Sequence, residues 1–446
     1  MISRKIDSVI AEHFTKSRAA LLLSGARQTG KTYAIRKYAQ QSGLQLLEMN
    51  FLLQPDAKNL FAGAKDVKDL LLRMTAFGSK PMRKGKTLVF FDEVQACPDV
   101  LTWVKALVDD GSFQYALSGS LLGIELKNIR SVPVGYMTEY SVFPLDFEEF
   151  VRAIGLSTEV LDAVRKAWEN LEPIDEYIHS KMMGLFNLYL LVGGMPAVVQ
   201  AYLDSNDLQR VMHEQRSILN LYKRDIGQYV QHDKLYINEI FELIPPELNA
   251  KNKRFILKNL NEHFKFSRYE SSFVWLREAG MALPVYNVEE PTVPLKLNEQ
   301  RNLFKLFQND VGLLASQYAS GIHLQILRGD VQINHGAIYE NAVAQELHAH
   351  GWKLYYFNSK KQGEVDFLLE KDAEIIPVEV KSGKDFRRHA ALNNILSSSA
   401  YSIKRGIVLC NDNLSVRGRV VYAPIYMTMF LHYREAEQPL IYKPEV

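Results

Sequence analysis

A glycine-rich loop near the N-terminus carries the first residues whose types and spacing suggest chemistry. Residues 25–32 read Gly-Ala-Arg-Gln-Thr-Gly-Lys-Thr, which matches the pattern GxxxxGKS/T between an apolar segment and a helical pattern. In such a loop, backbone N–H groups and the N-terminus of the following helix bind phosphate oxygens. Lys31 is expected to reach the β- and γ-phosphates of a nucleotide, and Thr32 to ligate Mg²⁺. The predicted phosphate-binding residues are Gly25, Arg27, Gln28, Thr29, Gly30, Lys31 and Thr32.

Two adjacent carboxylates follow an apolar segment about sixty residues later. Residues 88–93 read Leu-Val-Phe-Phe-Asp-Glu, a buried strand that presents acids at its carboxyl end, where parallel sheets bind ligands. Asp92 is expected to hold Mg²⁺, directly or through water, and Glu93 to act as the general base on the attacking water. The alternative is a helix N-cap, a place that acidic residues also favour.

A third apolar segment ends in small polar residues. Residues 113–120 read Phe-Gln-Tyr-Ala-Leu-Ser-Gly-Ser. A hydroxyl there, Ser118 above all, is expected to contact the γ-phosphate or the attacking water. The alternative is an ordinary turn, for which Ser and Gly are common residues.

A second group of carboxylates lies in the last quarter of the chain. Asp366 ends the polar face of one strand pattern, and Glu379 and Lys381 lie two residues apart on one face of the next. This D…ExK form is that of restriction-type nucleases. A hairpin would bring Asp366 beside Glu379, with Glu364 in the same orientation, and a divalent cation between them would activate water. Lys381 would offset developing negative charge or orient the nucleophile. The alternative is a solvated hairpin with alternating charges.

The helix before this hairpin offers a further carboxylate, Glu340 or Glu346. These residues are six positions apart and therefore face different directions. The predicted ligands of the second metal are Glu340, Asp366 and Glu379; the preference for Glu340 depends on the resemblance given below.

Basic residues concentrate in residues 251–268, which hold six Lys or Arg and one Glu. Four aromatic side chains interleave with them, as in sites that bind nucleic-acid phosphates and stack on bases. These are Phe255, Phe264, Phe266 and Tyr269. The alternative is a solvated helix face over a core.

Alternating strand and helix patterns predict the elements that position these residues. Short apolar strands are expected at 20–24, 45–49, 87–91 and 113–117, with helices at 31–41, 67–77 and 99–109, which argues for a parallel sheet covered on both faces. Residues 156–230 read as helical, with a break at Gly193–Gly194. A hairpin is expected at 283–295. The C-terminal part reads as helix 337–350, strands 353–357, 364–369 and 375–381, another helix and strand 406–410.

Composition excludes several classes of protein. The 446 residues carry 53 Lys and Arg against 51 Asp and Glu, so nucleic-acid contact would require a local basic patch. Hydrophobic residues make up 47%, which excludes wholesale disorder. Two cysteines without a CxxC spacing predict a reducing, cytoplasmic setting and no zinc site. No apolar run reaches the roughly 20 residues of a membrane span.

These motifs together resemble a large prokaryotic family of ATP-binding proteins. The loop GARQTGKT, LVFFDEVQ, LSGSLLG and FPLDFEEF are similar to the family's AAA-type ATPase domain. GGMPAVV at 193–199, LYKRDI at 221–226 and KLFQNDVGLL at 305–314 extend the resemblance along the chain. The family carries a C-terminal domain of unknown function related to restriction endonucleases, and its frame in YENAVAQEL favours Glu340. Where the family often has a basic residue, this chain has Tyr136, so neither Arg130 nor Arg224 is assigned as an arginine finger.

The expected protein is of the α/β class and has four parts. An AAA-type P-loop ATPase domain at 1–155 is followed by a helical lid or linker at 156–230, a winged-helix-like domain at 231–322 and a PD-(D/E)xK nuclease-like domain at 323–446. The expected activity is Mg²⁺-dependent ATP hydrolysis with DNA as partner, and a protein partner or a second copy stays open. The alternative is a nucleotide-gated switch whose C-terminal domain binds a partner without cleaving nucleic acid.

Overall fold

The fold was analysed in a computed structural model that describes residues 2–120, 135–229, 234–250, 253–256, 260, 268–318, 320–328 and 336–433. The chain forms two compact units, each built from separated segments. The first unit comprises residues 1–145, 195–241 and 264–282, and the second comprises residues 146–194, 242–263 and 283–446.

A five-stranded sheet forms the centre of the first unit. Its order is β2-β3-β4-β1-β5, and all neighbouring strands are parallel. The strands are β1 (Ala20–Ser24), β2 (Gln45–Asn50), β3 (Thr87–Asp92), β4 (Gln114–Ser118) and β5 (Met137–Ser141). The predicted strands β1 to β4 are confirmed to within one residue at each end.

Helices alternate with these strands along the chain. They are α1 (Lys5–Lys16), α2 (Lys31–Gln41), α3 (Asn59–Ala62), α4 (Val67–Phe77) and α5 (Asp99–Asp110). Successive strand side chains point to opposite faces, so Leu21 and Phe90 lie in one apolar core while Leu22 and Phe91 lie in the other. The sheet is therefore buried on both faces, which is the predicted arrangement.

The helical region predicted at 156–230 is present, and its helices are divided between the two units. The second unit contains α6 (Phe147–Ala153), α7 (Thr158–Asn170) and α8 (Glu176–Val192). The first unit contains α9 (Pro196–Ser205) and α10 (Leu208–Tyr229). The predicted break at Gly193–Gly194 is confirmed, because α8 ends at Val192. The region predicted as a lid or linker at 156–230 thus contributes helices to both units.

An eight-stranded mixed sheet forms the centre of the second unit. Its order is β12-β13-β11-β10-β9-β8-β6-β7. The strands are β6 (Ala282–Val288), β7 (Glu299–Gln308), β8 (Tyr355–Ser359), β9 (Gly363–Lys371), β10 (Glu374–Val380), β11 (Gly406–Cys410), β12 (Ser415–Arg417) and β13 (Val420–Pro424). The predicted hairpin of β9 and β10 is confirmed as an antiparallel pair, in which Val378 lies opposite Phe367.

Six further α-helices lie in the described residues. They are α11 (Lys234–Asn249), α12 (Glu270–Glu278), α13 (Val311–Ala315), α14 (Ser320–Leu327) and α15 (Gly336–Ala349), followed by α16 (Ala390–Ser397) in the predicted place after β10. No single helix among the described residues is long and apolar enough to cross a membrane, and only α8 and α9 taken together reach that length and composition.

The predicted winged-helix-like domain at 231–322 requires a correction. Its expected hairpin at 283–295 is instead the pair β6 and β7, with the second strand beginning at Glu299, and both strands join the C-terminal sheet. β6 pairs in parallel with β8, which the sequence had placed in the next domain. The predicted domain boundary at residue 322 therefore separates β6 and β7 from β8, although β6 and β8 are hydrogen-bonded in the same sheet.

The middle motifs of the family resemblance meet in the second unit. The Asp310 carboxylate caps α13 by accepting from the Leu313 N–H at 2.9 Å, and it accepts from the Gly194 N–H at 2.6 Å. Gly193 has φ +72°, and a Cβ there would lie 2.3 Å from Oδ1 of Asp310. The buried Asp310 carboxylate thus accounts for Gly193 in the GGMP sequence and for the aspartate in the NDVG sequence.

Candidate nucleotide site and C-terminal charge cluster

The glycine-rich loop has the backbone conformation that a phosphate cradle requires. Gly25 has φ +129° and Gly30 has φ +95°, in a region that side chains disfavour. A Cβ on Gly25 would lie 2.3 Å from the carbonyl oxygen of Val142, so only glycine fits there. Gln28, at φ +64°, and Thr29, whose Oγ1 donates to the Ala26 carbonyl at 2.9 Å, complete the turn that precedes α2.

The Lys31 side chain lies across this loop. Its Nζ donates to the carbonyl oxygens of Gly25 at 2.9 Å and Ala26 at 2.7 Å. Burial lowers the pKa of Lys31 to about 8, against the opposing effect of Glu93 and Asp92. The ammonium is held inside the loop by weak neutral acceptors, which a phosphate would replace with stronger charged ones.

The carboxylate of Asp92 receives hydrogen bonds from three neighbouring elements. Thr32 Oγ1 lies 3.1 Å from both carboxylate oxygens, Asn50 Nδ2 donates at 2.8 Å, and Ser118 Oγ donates to Oδ1. Burial raises the pKa of Asp92, and these hydrogen bonds lower it in part. The hydroxyl of Thr32 and the carboxylate of Asp92 are the hard oxygen ligands that Mg²⁺ binds, so these residues fit the ion expected there.

Glu93 lies at a strained position just after β3. Its φ is +59°, which is uncommon for a residue with a side chain, and a short 3₁₀ turn follows. Its Oε2 accepts from Gln95 Nε2 and lies 3.4 Å from Ser120 Oγ. Such strain is concentrated at functional sites. In this conformation the Glu93 carboxylate contacts Gln95 and Ser120.

The predicted sensor residue Ser118 contacts Asp92, and Ser120 of the same segment contacts Glu93. Sequence reasoning did not identify Asn50 or Gln95, and it favoured Ser118 over Ser120. A signal for Asn50 was available, because a polar residue at the carboxyl end of β2 lies at the same sheet edge as Asp92.

Arg27 of the loop is bound to a distant helix. Its Nη1 lies 2.6 Å from Oδ1 of Asp225 on α10, and the Tyr222 hydroxyl donates to the Arg27 carbonyl at 3.3 Å. The Asp225 side chain is 3% exposed. Gly280 also packs against the loop, at the neighbouring residue Ala26, where a Cβ on Gly280 would lie 2.9 Å from the Ala26 nitrogen. Arg27 was predicted only as a phosphate-binding residue, and this ion pair was not foreseen.

The arginine-finger candidates stay unassigned. Arg130 lies outside the described residues, and Arg224 is exposed on α10. Tyr136, at the position where the family often has a basic residue, lies with its ring 5.3 Å from Lys105 Nζ.

The C-terminal carboxylates surround a lysine. Nζ of Lys305, on β7, lies 2.7 Å from Glu364, 3.3 Å from Glu340 and 3.5 Å from Asp366, and its side chain is fully buried. We call Lys305 and the carboxylates of Glu340, Glu364, Asp366 and Glu379, with Lys253 and Lys381, the charge cluster. Its carboxylates hold the pKa of Lys305 well above the ordinary value despite burial, so the ammonium is charged.

Two further lysines bind this cluster from its sides. Lys253 Nζ contacts Glu340, and Lys381 Nζ donates to Glu379 Oε1 at 2.8 Å. Asp366 Oδ2 accepts from the Val380 N–H at 2.8 Å. Burial, followed by the charge of Asp366, raises the pKa of Glu379 to about 8.

The prediction that Glu340, Asp366 and Glu379 hold a metal is therefore corrected. Among the described residues, no group of three or more His, Cys, Asp or Glu side chains is arranged to hold an ion. The side chains that sequence reasoning brought together are adjacent, but Lys305 pairs with both Glu340 and Asp366. Glu346, the other helix carboxylate, lies elsewhere, where its Oε1 accepts from the Phe147 N–H at 2.7 Å and the Tyr189 hydroxyl at 3.1 Å.

The basic stretch is only partly described, because residues 251–252, 257–259 and 261–267 lie outside, with Phe264 and Phe266 among them. Lys253 is bound to Glu340. Phe255 is buried, its ring 6.1 Å from that of Phe304, and Tyr269 is fully buried. These two aromatic residues are core residues and not the base-stacking platform that was predicted.

Comparison with known proteins divides the chain into three segments. Residues 17–151 match the family model of an AAA domain. This similarity indicates ATP binding by the N-terminal segment. Residues 183–324 and 335–427 match two domains of unknown function, DUF8612 and DUF4143. The second model begins after β7 and so excludes Lys305.

Individual relatives are distant. An uncharacterised protein of Methanocaldococcus jannaschii is 23% identical over 371 residues, which cover 80% of this chain and 74% of the relative. A Walker-type ATPase of Pyrococcus abyssi is 14% identical, with a TM-score of 0.41, and the match covers 74% of this chain and 96% of that one. For DnaA from Aquifex aeolicus, bound to AMPPCP, the identity is 10% and the TM-score 0.30, over 62% and 90% of the two chains. These values are too low to transfer the functions of the solved proteins to this chain.

Proposed function

We propose that the first unit binds ATP with Mg²⁺ and hydrolyses it. The observation that carries this proposal is the contact of Thr32 with Asp92, at 3.1 Å to both carboxylate oxygens. Thr32 directly follows the phosphate loop, in which position 25 accepts only glycine. A P-loop, a metal-binding oxygen pair and an adjacent glutamate are the parts that phosphoryl transfer to water requires.

Each side chain has a separate role in this proposal. Backbone N–H groups of the loop and the N-terminus of α2 bind phosphate oxygens, and Lys31 neutralises their charge. Thr32 and Asp92 would hold Mg²⁺, which supplies charge neutralisation between the β- and γ-phosphates. Glu93 accepts a proton from the attacking water, since its carboxylate lies beside the metal-binding pair and not within it. Gln95 and Ser120 orient that carboxylate.

Phosphate release by the purified full chain tests the proposal. Glu93→Gln should bind ATP but reduce turnover at least about 100-fold, the scale of a general-base contribution. Lys31→Ala should lose both binding and turnover, because the phosphate charge is then unopposed. Nucleotide affinity is measured separately by titration with a fluorescent ATP analogue.

Lys16→Ala serves as the matched control. Lys16 is exposed and paired with Glu12 on α1, away from the loop, so its loss should leave both measurements unchanged. Turnover in Glu93→Gln equal to that of the natural chain would contradict the role of Glu93. Unchanged affinity in Lys31→Ala would contradict the nucleotide site.

For the second unit we propose a nucleotide-gated binding role, with DNA as the partner and no strand cleavage. The nuclease alternative, in which Asp366, Glu379 and Lys381 are catalytic around a second Mg²⁺ or Mn²⁺, needs a cation bound to Asp366, a carboxylate that Lys305 already contacts. The ion pairs of Lys305 favour the binding role. Support for DNA comes from the basic composition of residues 251–268. DNA integrity with Mn²⁺ present distinguishes the two, since cleavage lost in Asp366→Asn would establish the nuclease.

A further inference from the structure

Lys305 has a setting that is unusual for lysine. It lies on β7 within the apolar sequence Leu303-Phe304-Lys305-Leu306-Phe307, and its side chain is 0% exposed. Lysine is almost never fully buried unless it is paired. Its ammonium faces carboxylates from α15 and β9, and the ring of Tyr356 on β8 lies 5.2 Å away. Three elements that follow one another in the chain thus converge on one cation, which β7 supplies.

The cluster carries no excess negative charge. The lysines Lys253, Lys305 and Lys381 contribute three positive charges. Glu340, Glu364 and Asp366 contribute at most three negative charges, because burial raises the pKa of Glu340. Glu379, whose pKa is raised to about 8 and whose Oε2 has no hydrogen-bond partner, is mostly neutral at pH 7. A divalent cation entering this site would meet no excess negative charge.

We propose that the charge cluster is closed by Lys305 and holds no divalent cation, so that its carboxylates are a structural ion-pair centre of the second unit. Mg²⁺ and Ca²⁺ require several oxygen ligands at about 2.0 to 2.6 Å around one point. The Lys305 ammonium occupies that point, with three carboxylates between 2.7 and 3.5 Å from its Nζ. Ammonium and metal cannot share this space, because two like charges would be buried side by side.

Mn²⁺ binding to the nucleotide-free full chain tests the proposal directly. Asp92→Asn removes the carboxylate expected to bind a metal in the first unit, so the result does not depend on the proposed ATPase. Free Mn²⁺ is measured from its electron paramagnetic resonance signal during titration. No saturable site that involves the cluster should appear in Asp92→Asn. A site that is present in Asp92→Asn and absent once Glu379→Gln is added would overturn the proposal, whereas binding that Glu379→Gln leaves unchanged lies elsewhere and agrees with it.

Lys305→Met in the same background provides the converse test. Without the ammonium the buried carboxylates repel, so the Tm should fall by several degrees, and Mn²⁺ should restore part of this decrease by binding the native state. Lys296→Met is the matched control, since Lys296 is an exposed lysine paired with Glu299 at the start of β7. It should change neither the Tm nor the response to Mn²⁺.

If Lys305→Met does not fold, adding Glu340→Gln should rescue folding, because it removes one of the buried carboxylate charges that the ammonium no longer compensates. A Tm of Lys305→Met equal to that of the natural chain would contradict the structural role of Lys305. The Mn²⁺ titration of Asp92→Asn, which leaves the cluster unaltered, remains decisive in either case.

Discussion

Asp92 and Glu379 are both buried carboxylates on strands, yet their surroundings differ. Asp92 accepts from Thr32, Asn50 and Ser118, all neutral donors that would exchange readily for a metal and its water. Glu379 has one lysine contact, and its other oxygen is buried without a hydrogen bond. Neutral donors around a carboxylate leave its charge available to a cation, whereas burial beside Asp366 favours the protonated form of Glu379.

The raised pKa of Glu379 predicts a change in the pH dependence of stability. The native state holds a proton that the unfolded state has released between pH 4.5 and about 8, so the free energy of unfolding should fall as pH rises through this window. Glu379→Gln should flatten that slope by at most about 1.4 kcal/mol per pH unit, the value for one proton. Urea unfolding at several pH values measures the slope.

Glu374→Gln is the control for this measurement, because Glu374 lies at the exposed start of the same strand, where Lys404 contacts it. Its slope should match that of the natural chain. A steeper or unchanged slope in Glu379→Gln would mean that Glu379 is charged in the native state at neutral pH.

Among the elements, α10 binds the phosphate loop through two of its side chains. The Arg27–Asp225 ion pair and the Tyr222 hydroxyl bind two atoms of the same loop residue. The loop is therefore ordered before a nucleotide arrives, which lowers the conformational entropy lost on binding.

Asp225→Asn should weaken both stability and nucleotide binding. The charged hydrogen bond from Arg27 becomes a neutral one, which we expect to lower the free energy of unfolding by about 1–3 kcal/mol. Arg27 is then less restrained, so ATP affinity should fall while the turnover of bound ATP changes less. Chemical unfolding and a titration with an ATP analogue measure the two effects.

Glu12→Gln, which breaks the exposed Lys16–Glu12 pair on α1, is the control and should alter neither quantity. Loss of turnover at saturating ATP without loss of affinity would instead place Asp225 in the chemical step.

Sequence patterns predicted individual elements well and their partners less well. Helices 31–41 and 67–77 were predicted with their observed bounds, because a glycine, an acidic cap or a change of periodicity marks each end. Arg27 and Asp225 are 198 residues apart, and no local pattern links them. The position of Lys305 within an apolar strand pattern could have indicated a buried lysine with an acidic partner. Which carboxylates pair with it depends on how β7 enters the sheet.

For the whole molecule, DNA binding is the prediction that the described residues test least. Lys253 is bound to Glu340, so it is not a suitable test residue. Lys258→Glu with Lys265→Glu should weaken duplex binding if the basic stretch neutralises phosphates. The log–log salt slope should also become less negative by about 0.9 for each phosphate that is no longer neutralised. Fluorescence anisotropy at several salt concentrations measures both quantities.

The exposed pair Lys404→Glu with Arg388→Glu makes the same charge change elsewhere in the second unit and serves as the control. Equal affinity and salt slope in the Lys258/Lys265 double variant and the natural chain would remove this stretch from the DNA site.

The position of Lys305 on β7 has a practical consequence for anyone who isolates the C-terminal domain by homology. A fragment cut at residues 335–427, the bounds of the matching family model, keeps Glu340, Glu364, Asp366 and Glu379 but retains only one of the three cluster lysines. Such a fragment would also lack β6 and β7, leaving the β8 edge of its sheet unpaired. The bare acidic pocket would take up metal from the buffer, and a metal-dependent activity observed in it would be an artefact of the cut.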